Sequence, residues 1–161
     1  MIKESKVLPG LFIRELENHE DPRGDNVEVW NNTIFPNVEF KRDMVSVTSK
    51  HVLRGIHRDP GCYKLMTCLY GKSYYVIVDC NKKSHTFGMW DAYMLSDKSR
   101  LQILVPPQYG NTFVALSDVV VMHYKMSELH NPELQESYKW NNPQYNIWWP
   151  IKNPILSRRD E

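Results

Sequence analysis

Short apolar or alternating runs, turn residues between them and almost no helical periodicity predict an all-β chain, a sandwich or a jelly-roll barrel. The runs cover residues 11–14, 27–30, 44–47, 52–57, 63–69, 74–79, 101–105, 112–116 and 119–124. Each is rich in Val, Ile, Tyr, Phe or Thr, whose branched or flat side chains suit a pleated, half-buried surface. Gly, Pro, Asn or Ser bound them, and strands about 8–12 residues apart are typical of sandwiches and barrels. Weak helical spacing at 15–18 and 132–137 predicts two short helical pieces near the termini.

The 161 residues fit one domain, read from residue 1 to 161, with a single core. Five Trp, nine Tyr and five Phe supply bulky side chains for that core. A formal charge of +1 gives no general electrostatic reason to bind nucleic acid or an anionic membrane. No stretch approaches the ~18 consecutive apolar residues of a membrane helix, and the N-terminal residues lack the apolar region of a signal peptide. Cys62, Cys68 and Cys80 are odd in number and outside any CxxC spacing, so buried thiols in a reducing cytoplasm are expected.

Three polar residues interrupt apolar runs: Arg54 and His57 within 52–57, and Lys64 at the head of 63–69. A charge inside a barrel is costly unless it lines a polar cavity. These residues therefore propose one.

Val52-Leu53-Arg54-Gly55-Ile56-His57 resembles the VLRGLH signature of the nucleotide-sugar 3,5-epimerases, the family of dTDP-4-dehydrorhamnose 3,5-epimerase. Further segments match in the same order. Asp21-Pro22-Arg23-Gly24 with Glu28 resembles the family's DxRG…E, and Tyr63-Lys64-Leu65 with Gly71 and Val76-Ile77-Val78-Asp79 its KLV…G…VAVD. Ser84 to Gly88 resembles SPTFG, and Val105 to Gly110 the family's IPPGF segment. Trp149-Pro150 and the run from Pro154 to Asp160 resemble its WP…PILSxKD ending.

The resemblance implies a cupin jelly-roll, usually a homodimer, acting without a cofactor on a nucleoside diphosphate linked to a 4-keto-6-deoxy sugar. It also implies that no metal takes part. The residues agree, because His57 is followed by Arg58-Asp59 rather than a second His, and Asn111 stands where a metal-binding cupin has a later His.

By the same resemblance His57 is the base that removes a proton beside the C4 ketone, and Asp160 its acidic partner. Lys64 is the cation near the sugar carbonyl. Arg54 and Arg23 hold the diphosphate, with Glu28 in the same N-terminal segment, which in the family often comes from the partner subunit. His130 stands where the spacing from the Tyr124-Lys125 pair puts the family's catalytic tyrosine, so a histidine takes the proton-donating position. Asn111 replaces the His of AHGF, and an amide binds but does not titrate. Tyr63-Lys64-Leu65-x-Thr67-Cys68-x-Tyr70-Gly71 with Gly110-Asn111 resembles a branch acting on GDP-linked 4-keto-6-deoxy-heptoses in capsule synthesis. The expected activity is inversion of C3, C5 or both, in the making of cell-surface polysaccharide sugars. Two alternatives stand beside it: a 3,4-ketoisomerase, opposed by Asp59 in place of a second His, and an inactive nucleotide-sugar binding module.

Overall fold

The computed structural model describes residues 1–161, which form strands and turns with no helix. The strands are β1 (Ile2–Glu4), β2 (Phe12–Glu15), β3 (His19–Asp21), β4 (Gly24–Asn26), β5 (Arg42–Ser49), β6 (Leu53–Arg58) and β7 (Lys64–Tyr70). After these come β8 (Lys72–Val78), β9 (Trp90–Ser96), β10 (Leu101–Val105), β11 (Gly110–Ala115), β12 (Val119–Met126) and β13 (Glu136–Ser137). Their order is β1-β2-β10-β7-β12-β5 in one sheet and β13-β6-β11-β8-β9 in the other, with β3-β4 a separate hairpin. The paired strands are antiparallel, and the two sheets close as a cupin jelly-roll.

Alternation builds the core. On β12, Val120 and Met122 point inward while Val119 faces out. Met66, Ile103 and Met122 of the first sheet meet Tyr75, Ile77, Leu95 and Phe113 of the second. Each buried aromatic removes roughly 150–250 Å² from water, at about 25 cal/mol per Å². The run in β8 is apolar without a break because both its faces are covered. Tyr74 and Val76 pack under Trp140, Trp149 and Leu156 on the outside. The aromatic segment near residue 149 is thus packing: Trp149 lies edge-on to Tyr74 and Trp140 and donates from its indole N–H to the Trp140 carbonyl. Gly71 turns β7 into β8 at φ +82°, where a Cβ would come within 2.1 Å of the Val119 oxygen.

The structure corrects several expectations. Neither helical piece forms. Residue 15 belongs to β2, and 132–137 is a turn followed by β13, whose residues pair with His57 and Arg58. Short amphipathic stretches lack the length to sustain a helix, and here the backbone bonds of β6 claim the second one. Residues 27–30 make no strand. The Val29 carbonyl there accepts from the Arg14 and Gln102 side chains instead of a neighbouring strand. β9 carries few branched residues around Asp91, which hid it from the sequence pattern. All three cysteines are buried and unpaired as expected, and burial pushes the Cys68 and Cys80 thiols up to about 11. No helix is long and apolar enough to cross a membrane.

Candidate active site

Arg54 and His57 are three residues apart, a spacing that sends side chains to opposite faces of a regular strand. Both nevertheless line one cavity. The reason is a register shift: β11 advances two residues, from Asn111 to Phe113, while β6 advances three, from His57 back to Arg54. The extra residue is a β-bulge that re-aims the side chains beyond it. Gly55 makes the bulge possible, with φ +115° and no Cβ to strike the Asn111 oxygen, which would lie 2.7 Å away.

The cavity holds about 670 Å³ between the two sheets. β6 and β11 bring Arg54, His57, Asn111 and Phe113 from one side. Lys64 from β7, Tyr124 and Met126 from β12, and Arg42, Met44 and Ser46 from β5 come from the other. The C-terminal tail closes one wall. A parallel bridge between Val52 and Ile155 docks it, and a turn bond from the Asp160 N–H to the Ser157 carbonyl points Asp160 inward.

Asp160 is 6% exposed, so it is part of the interior. Its Oδ1 lies 2.7 Å from His57 Nε2, while Oδ2 accepts from the Ser157 hydroxyl at 3.0 Å and the Gly55 N–H at 3.5 Å. A carboxylate accepts only, so Nε2 carries the hydrogen and Nδ1 keeps the lone pair. Lys64, 5% exposed, lies 2.5 Å from Asp59 Oδ2. Tyr124 shares a hydrogen bond of 3.1 Å with the Ser46 hydroxyl. Arg54 donates from Nε to Thr48 Oγ1 at 2.9 Å, and Arg159 from Nε to Ser137 Oγ at 3.0 Å. Asn111 donates its amide to the His57 carbonyl at 3.1 Å and so supports β6 at the base. His130 stands exposed at the rim. A fixed imidazole–carboxylate pair, a buried ammonium and a phenol thus border one chamber.

The family model for dTDP-4-dehydrorhamnose 3,5-epimerase matches residues 5–161. The chain belongs to the dTDP-4-dehydrorhamnose 3,5-epimerase family. It is 35% identical to the dTDP-4-dehydrorhamnose 3,5-epimerase of Methanothermobacter thermautotrophicus over 95% of this chain and 88% of that one. It is 31% identical to a dTDP-4-dehydrorhamnose 3-epimerase of Streptomyces niveus over 96% and 78%. Among solved structures, the Legionella pneumophila 3,5-epimerase in complex with dTDP-4-keto-L-rhamnose superposes with TM-score 0.93 at 29% identity, covering 99% of this chain and 89% of that one.

Of the residues that the sequence singled out, this epimerase-family chain brings six to the cavity: His57, Asp160, Lys64, Arg54, Asn111 and His130. Arg23 and Glu28 are elsewhere in the chain. Arg23 sits exposed on the β3–β4 turn, paired to Asp21 at 2.6 Å, and Glu28 is exposed and accepts from the Asn31 amide. Sequence reasoning missed Tyr124, Asp59, Arg42 and Arg159. Tyr124 was readable: it follows Val120 and Met122 at spacings of two, so its hydroxyl ends an inward row.

Burial is the largest influence on His57 and lowers its pKa; attraction to Asp160 opposes this, and Arg159 and Lys64 add to the lowering. The net shift is below the ordinary 6.5. The unfolded chain therefore takes up a proton near pH 6.5 while the folded one resists. The stability that His57 contributes is complete above pH 6.5 and declines as pH falls below it. The free base persists over the same window, so the acid limb of kcat/KM should lie below pH 6.5. A pH–rate profile checks this, and a limb at or above 6.5 would assign it to another group.

Proposed function

We propose that this chain, acting as one cupin domain over residues 1–161, is a metal-independent epimerase. It inverts C3, C5 or both in a nucleoside-diphosphate-linked 4-keto-6-deoxy sugar used for cell-surface polysaccharide. The observation that carries the reading is the His57–Asp160 pair in one chamber with Lys64 and Tyr124.

A ketone at C4 acidifies the neighbouring C–H bonds, because the electron pair left behind moves onto the carbonyl oxygen. His57 Nδ1 accepts the proton, and Asp160 steadies the imidazolium that forms. Lys64 Nζ offsets charge growing on the C4 oxygen. Tyr124 returns a proton to the opposite face and recovers its own from solvent, while His57 gives up to solvent the proton it took. Burial raises the Tyr124 pKa, with Ser46 and Arg54 opposing, so the phenol holds its proton until the enolate needs it. His130 at the rim is the runner-up donor. A phenol of this kind in the chamber speaks against the inactive-module reading.

The charge balance suits a nucleoside diphosphate. Arg42, Arg54, Lys64 and Arg159 line the cavity against Asp59 and Asp160, leaving a cationic excess for a diphosphate. Arg23 and Glu28, exposed and absent from the lining of their own chamber, fit a homodimer in which each N-terminal segment completes the partner's site. Unpaired thiols fit a reducing compartment, the cytoplasm.

The test is incubation with dTDP- and GDP-linked 4-keto-6-deoxy sugars, seven-carbon ones included, in deuterated water. Deuterium at C3 or C5 with inversion is expected, whereas no exchange with any donor would sink the proposal. In the same assay, mixed Arg23→Ala and His57→Asn chains should recover activity that each lacks alone, if sites are shared between subunits.

A further inference from the structure

Lys64 is almost wholly enclosed, and the group that accompanies it is Asp59, whose side chain is 14% exposed. Asp59 follows the base by two residues and precedes Lys64 by five. The turn between β6 and β7 folds the two against each other at 2.5 Å. The second carboxylate oxygen is also taken: Gln135 Nε2 donates to Asp59 Oδ1 at 2.6 Å. Gln135 lies on the segment that carries His130, and that segment has another anchor next door, where Arg58 Nη1 meets Glu136 Oε2 at 2.9 Å. Asp59 lines both the main chamber and a second cavity of about 440 Å³ beside it.

An ammonium on a four-carbon stem has many rotamers, and a cation can stabilise an enolate only where the oxygen arrives. Asp59 answers that need with one carboxylate oxygen, and its other oxygen ties the rim segment to the same point.

We infer that Asp59 is a positioning residue of the epimerisation. It holds the Lys64 ammonium where the C4 oxygen develops charge, and through Gln135 it sets the His130-bearing segment against that lysine. The inference rests on the role proposed above for Lys64.

The test compares Asp59→Asn, Asp59→Glu and Gln135→Ala in the intact protein, alone and with Lys64→Gln. Because Asp59 acts on the reacting charge rather than on the nucleotide, Asp59→Asn should lower kcat about 10²-fold, the scale of a ~1 Å misplacement, with KM almost unchanged. Asp59→Glu should restore about tenfold of that loss. In the Lys64→Gln background, Asp59→Asn should cost about twofold or less, since its target is gone. A kcat within twofold of wild type for Asp59→Asn, or losses that multiply in the double variant, overturns the inference. Should Asp59→Asn fail to fold, Gln135→Ala decides: a fall in kcat of about fivefold at constant KM supports it, and an unchanged kcat overturns it. Wild-type protein that exchanges no deuterium would remove the epimerase reading itself. Exchange by the wild type with unaffected variants removes only the role of Asp59.

Discussion

Replacing His57 by Asn should lower deuterium exchange at C3 and C5 by about 10³–10⁴-fold, the upper range for a lost general base. Thermal unfolding and nucleoside-diphosphate binding should stay close to wild type. Asn keeps polarity and approximate size, and its amide can still donate to Asp160, so the buried carboxylate keeps a partner. The diphosphate would be gripped by Arg54 and its cationic neighbours, which the substitution leaves alone. Exchange by the variant at wild-type rate would acquit His57 and move the chemistry to another residue.

Tyr124→Phe separates the two halves of the reaction. The base still abstracts the proton and can return a solvent-derived one to the face from which it came. Deuterium should therefore enter unreacted substrate while inverted product falls about 10²–10³-fold. Mass spectrometry of recovered substrate, read beside product stereochemistry by NMR, reports both quantities. If the variant inverts as fast as wild type, the donor is another group, and His130→Phe becomes the next variant to measure. Loss of the hydroxyl also leaves Ser46 without its partner, at a typical cost of about 1 kcal/mol. A small fall in melting temperature should thus accompany the kinetic effect.

Strands and polar interruptions were legible for a common reason. A strand writes its inward face every second residue, so Val120 and Met122 announce burial directly, as does the unbroken apolar stretch 74–78. Arg54, His57 and Lys64 stood out because ionisable groups seldom occupy such runs without cause. What the pattern hid depends on distance in space. Asp59 looked like an ordinary turn residue, and only the fold of β6 onto β7 sets it against Lys64. Tyr124 was readable from the inward row that Val120 and Met122 begin, yet its apolar ring let it pass as core. Residues 27–30 had the composition of a strand, yet their carbonyl at Val29 is satisfied by side chains, an outcome no periodicity can foretell. The N-terminal pair Arg23 and Glu28 matched a motif whose chamber, in one chain, lies elsewhere.

The bulge at Gly55 also decides which substitutions this strand can survive. Were β6 to run as a plain pleat at its present length, three steps would separate Arg54 from His57 and one of the two would turn outward. The detour depends on a backbone at φ +115° with no room for a Cβ. Exchanging Ile56 for another apolar residue alters packing alone, whereas a side chain at position 55 splits the arginine from the histidine. The residue that brings no chemistry of its own to the chamber is therefore under stricter constraint than the larger neighbour beside it.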